Sequence, residues 1–287
     1  MPEVTPEQFD AILDLLDELP PRISPLSLAF NGVPAPGSPG DQELKLTRHV
    51  AEPFSISLQA IVFAGDHAFA LRRLLTSPVM TFAPWTVTRG VIEACSQRLW
   101  FLDPALTVSG RVARGLNARL TSINDGDKFV RGSTRTEAKA ESERLQHRRE
   151  HLTEVAAAEG IEVISARGRV IGFGERVPQI SQVVAAAGYA SPYRLFSAIS
   201  HQRTWATIGT GFTVVDDEAD HGMGIKRLEQ RMTPEIATYL TTTSLQAIVA
   251  AMYRLVVYAG WEPSLFAADL DAILDRTILN PRLRPWR

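Results

Sequence analysis

Residues 84–102 carry apolar side chains almost all the way round a helix. Val91, Ile92, Ala94, Cys95, Leu99, Phe101 and Leu102 fall at spacings that cover most of its circumference. A helix with so little solvent face has to be enclosed, so other elements of the chain must pack around it. Most of the remaining segments read as helices. Thr5, Pro6 and Gln8 form a helix start, followed by the stripe Phe9, Ile12, Leu13, Leu16 and Leu19 and a stop at Pro20-Pro21. Apolar periodicity predicts further helices over 54–76, 106–123, 134–158, 179–187, 191–208, 233–259 and 263–278. Ser191-Pro192 supplies an N-cap and a first-turn proline.

Two segments break the pattern. Residues 161–174 place β-branched residues on both sides of Arg167-Gly168, the mark of a short hairpin. Residues 209–231 are rich in Gly and Asp and read as loop. No alternation of strands with helices and no internal repeat is present. The expected class is all-α, a multi-helix bundle with a small β-hairpin insertion. Residues 1–45 form an N-terminal helix and a Pro-rich connector, with six prolines and three glycines over 20–40, and residues 46–287 form the helical domain.

Composition narrows the chemistry. The 287 residues are 45% hydrophobic and 22% charged, and the formal net charge is −2. Such a chain has no global basic field, so nucleic acid can be held only by a local patch. Cys95 is the sole cysteine, which excludes an internal disulfide and Cys-rich zinc modules. The start MPEVTPEQFD lacks the basic and apolar regions of a signal peptide, and the apolar run 245–260 is too short to span a bilayer. A cytoplasmic setting without membrane attachment is the expectation.

Two polar stripes stand out. Arg194 and His201 are seven residues apart, almost two helical turns, and share a side with Ser197 and Trp205. A histidine can act as general acid and base, and an arginine can grip a phosphate. Such a pair suits RNA cleavage by the ribose 2′-hydroxyl without a metal or other cofactor. A satisfied core histidine explains the same residues. On helix 84–102, Arg89, Glu93, Ser96 and Trp100 also share a side. Arg89 and Glu93, at i and i+4, are expected to pair. The two stripes can face each other and form one polar pocket, in which Arg89 and Glu93 orient Arg194 and His201. They can equally be a structural seam in a non-catalytic binding protein.

Arg-x6-His on a helix of an all-α protein resembles the HEPN superfamily. More closely, Tyr193-Arg194-x-x-Ser197-x-x-x-His201, preceded by Arg89-x-x-x-Glu93, Trp100 and Asp103-Pro104, looks like uncharacterised bacterial helical proteins related to that superfamily. The ending Tyr258-Ala-Gly-Trp261 is similar as well. The likeness runs through short motifs over about residues 50–262. It implies a metal-independent ribonuclease, often dimeric, with RNA or a nucleotide as partner. His201 would be the acid/base, Arg194 the phosphate-binding residue, and Tyr193 and Ser197 supporting donors. Leu195 stands where active members place a polar residue.

Three other strings are set aside. His147-x-x-Glu150-His151 has zinc-peptidase spacing, but Arg148 and Arg149 intervene and no third ligand presents itself. Asp216-Asp217-x-x-Asp220 resembles a diphosphate-metal motif but falls in the predicted loop without a second metal motif. Glu218-x-x-His221 lacks the three further ligand groups of a di-iron centre.

Overall fold

The structure, a computed structural model, describes residues 5, 7, 9–17, 32–76, 79–130, 135–214 and 228–262. The helix expected over 263–278 and the residues Asp216, Asp217, Glu218, Asp220 and His221 lie outside them. The chain is a helical bundle with two small antiparallel sheets.

Helix α1 covers residues 9–17 and buries Ile12, Leu13, Leu15 and Leu16, as its apolar stripe dictates. Residues 39–46, where the sequence reading had mainly irregular connector, form helix α2 (Pro39–Leu46). Ser38 caps it by accepting from the Asp41 backbone N–H at 3.2 Å, and Pro39 occupies the first turn. A short 3-10 turn leads into α3 (Ala51–Leu74). Next come α4 (Ala83–Phe101), α5 (Val108–Val130) and α6 (Arg135–Ala158).

The expected hairpin is present as β1 (Val163–Ala166) and β2 (Arg169–Phe173), and β3 (Glu175–Arg176) adds a third strand. Arg167 and Gly168 both take positive φ, 52° and 72°, the geometry that a two-residue hairpin turn requires. Helices α7 (Ile180–Ala186), α8 (Ala190–Ser200) and α9 (Thr204–Gly211) follow. Within 209–231, read as loop, β4 (Phe212–Val214) pairs with β5 (Leu228–Gln230). Helix α10 (Pro234–Ala259) starts on a Thr233 cap and ends at Gly260, whose φ of 65° a side chain would strain. By length and composition alone, α10 and the stretch Arg48–Leu74 are apolar enough to cross a membrane. The apolar window of α10 is 67% buried within the fold, that of Arg48–Leu74 39%.

Helix α4 is central, as its all-round apolar pattern required. It packs on α3, α10, α7 and α8, and Trp85, Val91, Ile92, Cys95 and Phe101 are buried. A second cluster joins α5, α6 and the first sheet through Val112, Leu116, Leu152 and Phe173. A third gathers Phe54, Phe101, Leu102, Tyr258 and Trp261 at the α10 terminus.

A buried ionic knot fastens these clusters. The Arg111 side chain is only 2% exposed and its Nε donates to Glu43 Oε2 at 2.7 Å. Its Nη1 donates to the Phe101 carbonyl and its Nη2 to that of Asp103 at 3.2 Å. Tyr258 donates to the same Glu43 oxygen at 2.8 Å, and the guanidinium stands 4.7 Å from the Tyr258 ring centre. This knot ties α2, the end of α4, α5 and α10 together with its charges compensated.

Candidate functional site

The Arg89–Glu93 pair forms as its spacing predicts. Arg89 Nε donates to Glu93 Oε1 at 2.9 Å, with the two side chains 23% and 30% exposed. The partner from α8 is Tyr193. Its hydroxyl donates to Glu93 Oε1 at 2.9 Å and accepts from Arg89 Nη2 at 3.3 Å. Burial, with the Glu93 hydrogen bond adding to it, holds the Tyr193 phenol above its usual range. A contact at 3.2 Å between the Thr86 and Ser200 hydroxyls completes the α4–α8 seam.

Arg194 and His201 are not in this seam, contrary to the expectation that the two stripes face each other. Tyr193, Phe196 and Ser200 share one side of α8, and Phe196 is fully buried against Trp85 of α4, their ring centres 5.6 Å apart. Arg194 is one residue on from Tyr193, about 100° round the helix. His201 follows the same offset. Both are exposed, and among the described residues neither side chain has a hydrogen-bond or ionic partner. Ser197 is half-buried between the two sides.

The helix expected over 191–208 is broken at the histidine. The Gln202 N–H bonds to the Ile199 carbonyl at 2.9 Å and the Arg203 N–H to that of Ala198 at 2.8 Å. With Gln202 at φ 54°, this is a left-handed helix stop that usually carries glycine. Trp205 therefore lies on α9, 68% exposed, and not on the Arg194 stripe. Arg203 is exposed beside it and likewise unpaired among the described residues.

A concavity lies elsewhere, between α3, α5 and α6, with a volume of about 640 Å³. Its floor is aliphatic: Val112, Leu116, Ile123, Leu152 and Val155. Its rim carries Arg48, Arg119, Arg144 and Arg148 with His49, His147 and His151. The sequence pattern carries a signal for it. Arg144, His147, Arg148 and His151 recur at helical spacing and form one basic side of α6. His147 and His151 pair with Glu150 and Glu154 along that helix, each at 3.5 Å, at 89% and 70% exposure. Across the Glu52–Arg119 pair lies a second cleft of about 550 Å³, which Gln59, Gln97 and Trp100 help to line.

Cys95 is buried, which pushes its thiol up to about 12 and makes it a core residue rather than a nucleophile. Among the described residues no three His, Cys, Asp or Glu side chains gather as metal ligands would. Comparison with known proteins returns no match to a family model, to a curated protein or to a solved structure.

Proposed function

We propose that this chain is an RNA-directed, HEPN-like helical protein that contacts single-stranded RNA at the turn between α8 and α9. One observation carries the reading: Arg194, His201, Arg203 and Trp205 are all exposed there, and none of the three basic groups is neutralised by a described carboxylate. No Asp or Glu occurs between Glu175 and Asp216. Free cations beside an exposed indole suit a flexible phosphate chain with bases to stack.

Cleavage is the catalytic form of the same reading. Arg194 and His201 lie about 10 Å apart along one side of α8, near enough for both side chains to reach one phosphate. Arg194 would hold the non-bridging oxygens. His201 would take the 2′-hydroxyl proton as that oxygen attacks phosphorus and the P–O5′ bond breaks, and the 5′-oxygen would take a proton from solvent water. Arg89 and Glu93 are satisfied by each other and by Tyr193. That geometry favours a supporting role for them over orienting His201, and it favours binding without cleavage as the second reading.

A labelled single-stranded oligoribonucleotide, followed by anisotropy and by gel in EDTA, tests both. Binding weakened in Arg194→Ala and Arg203→Ala is expected, with a salt slope reduced by about one for each phosphate contact removed. Cleavage lost in His201→Ala establishes the ribonuclease. Binding with no cleavage in either protein leaves the non-catalytic form, and no saturable binding sinks both.

A further inference from the structure

The cleft between α3, α5 and α6 is independent of the α8–α9 turn, and we infer that it binds an amphipathic anion, an aliphatic body ending in a carboxylate or phosphate. Its volume of about 640 Å³ falls within the range of small-molecule sites. The floor decides the body of the ligand. Val112, Leu116, Ile123, Leu152 and Val155 offer branched aliphatic surface, and this floor has no aromatic ring or side-chain amide to stack on or read a base. The neighbouring cleft, with Trp100, Gln59 and Gln97, has those groups.

The rim decides the head. Glu52 is the single carboxylate lining the cleft, and it is held by Arg119, whose Nη2 donates to it at 2.7 Å. Other carboxylates stand around the rim: Glu141 lies 3.5 Å from Arg144, Glu150 lies 3.5 Å from His147, Glu154 lies 3.5 Å from His151, and Glu159 accepts from the Thr47 hydroxyl at 2.6 Å. Arg48 and Arg148 remain. Both are exposed at the mouth, one entering α3 and one on α6, and among the described residues neither has an ionic or hydrogen-bond partner. Two unpaired guanidiniums over an aliphatic trough attract an anionic head while its tail displaces water from the floor.

The test is titration calorimetry of the full chain with decanoate and decyl phosphate below their micellar concentrations, against AMP and inorganic phosphate. Saturable 1:1 binding of at least one decyl compound, tighter than AMP or phosphate, is expected. The double variant Arg48→Ser/Arg148→Ser changes only exposed side chains, so an unchanged melting temperature serves as its folding control. It should weaken decyl binding by about tenfold or more, in line with charge-assisted hydrogen bonds. Equal affinity for phosphate and decyl phosphate would overturn the inference, because the floor would then contribute nothing. So would AMP binding more tightly, an unaffected double variant, or no saturable binding of either decyl compound.

Discussion

Arg98 and Arg111 are two arginines of equal burial and opposite circumstance. Arg111 has Glu43, two backbone carbonyls and the Tyr258 ring around it. Arg98 is fully buried on α4, and among the described residues none of its three side-chain nitrogens has a hydrogen-bond partner. Burial, with no carboxylate beside it among the described residues, pushes the Arg98 guanidinium down to about 9. An uncompensated charge in the core opposes folding, so Arg98→Met should stabilise the protein by about 1–4 kcal/mol in urea denaturation. At the other arginine the sign reverses. Glu43→Ala leaves the Arg111 charge buried without its carboxylate and should cost about 3–5 kcal/mol in the same measurement. A destabilised Arg98→Met, or a neutral Glu43→Ala, would contradict this account.

Among the elements, α8 shows how a one-residue offset redirects a helix. The apolar Phe196 and the amphipathic Tyr193 dock on α4, because buried ring area outweighs what a charged stripe gains by facing inward. Arg194 and His201 are carried to the solvent side as a consequence. The helix then stops at Gln202, held at φ 54°, where a side chain costs about 1–2 kcal/mol. Gln202→Gly should relieve that strain and raise the melting temperature, with a gain of about 1 kcal/mol. A lowered melting temperature in that variant would mean that the glutamine side chain does something the backbone does not require. Helix α6 keeps the solvated face that its dense mixed charge predicts, and the exposed basic side of that face also rims a cleft once α5 is opposite it.

At the scale of the whole molecule, four phenols report on how tightly the bundle is closed. Burial raises Tyr189, Tyr193, Tyr239 and Tyr258 above the usual range, with Glu93 adding to Tyr193 and Glu43 to Tyr258. A folded state that holds these protons more firmly than the unfolded chain is favoured by them below about pH 10, the unfolded value. That contribution is lost as pH rises through the folded values. Stability should therefore decline progressively above about pH 10. Absorbance at 295 nm should show most phenolate appearing together with the loss of helical circular dichroism. Free titration of these tyrosines near pH 10 in a still-folded chain would refute it.

Periodicity was sufficient for the helical class, for α4 as the enclosed helix, for the hairpin at Arg167-Gly168 and for the Arg89–Glu93 pair. Each is written in a pattern that spans a few residues along the chain, which spacing specifies. Helix α2 carries little periodic signal because its eight residues are mostly polar and sit behind prolines, and β4–β5 because strands of three residues in a Gly- and Asp-rich segment are too short for alternation to register. The partners of each stripe depended on which side of α8 met α4, on α2 bringing Glu43 to Arg111, and on α6 lying across α5. Those are distances between residues up to 215 positions apart, as for Glu43 and Tyr258. No local spacing encodes them, because they follow from how the apolar surfaces of separate helices bury one another.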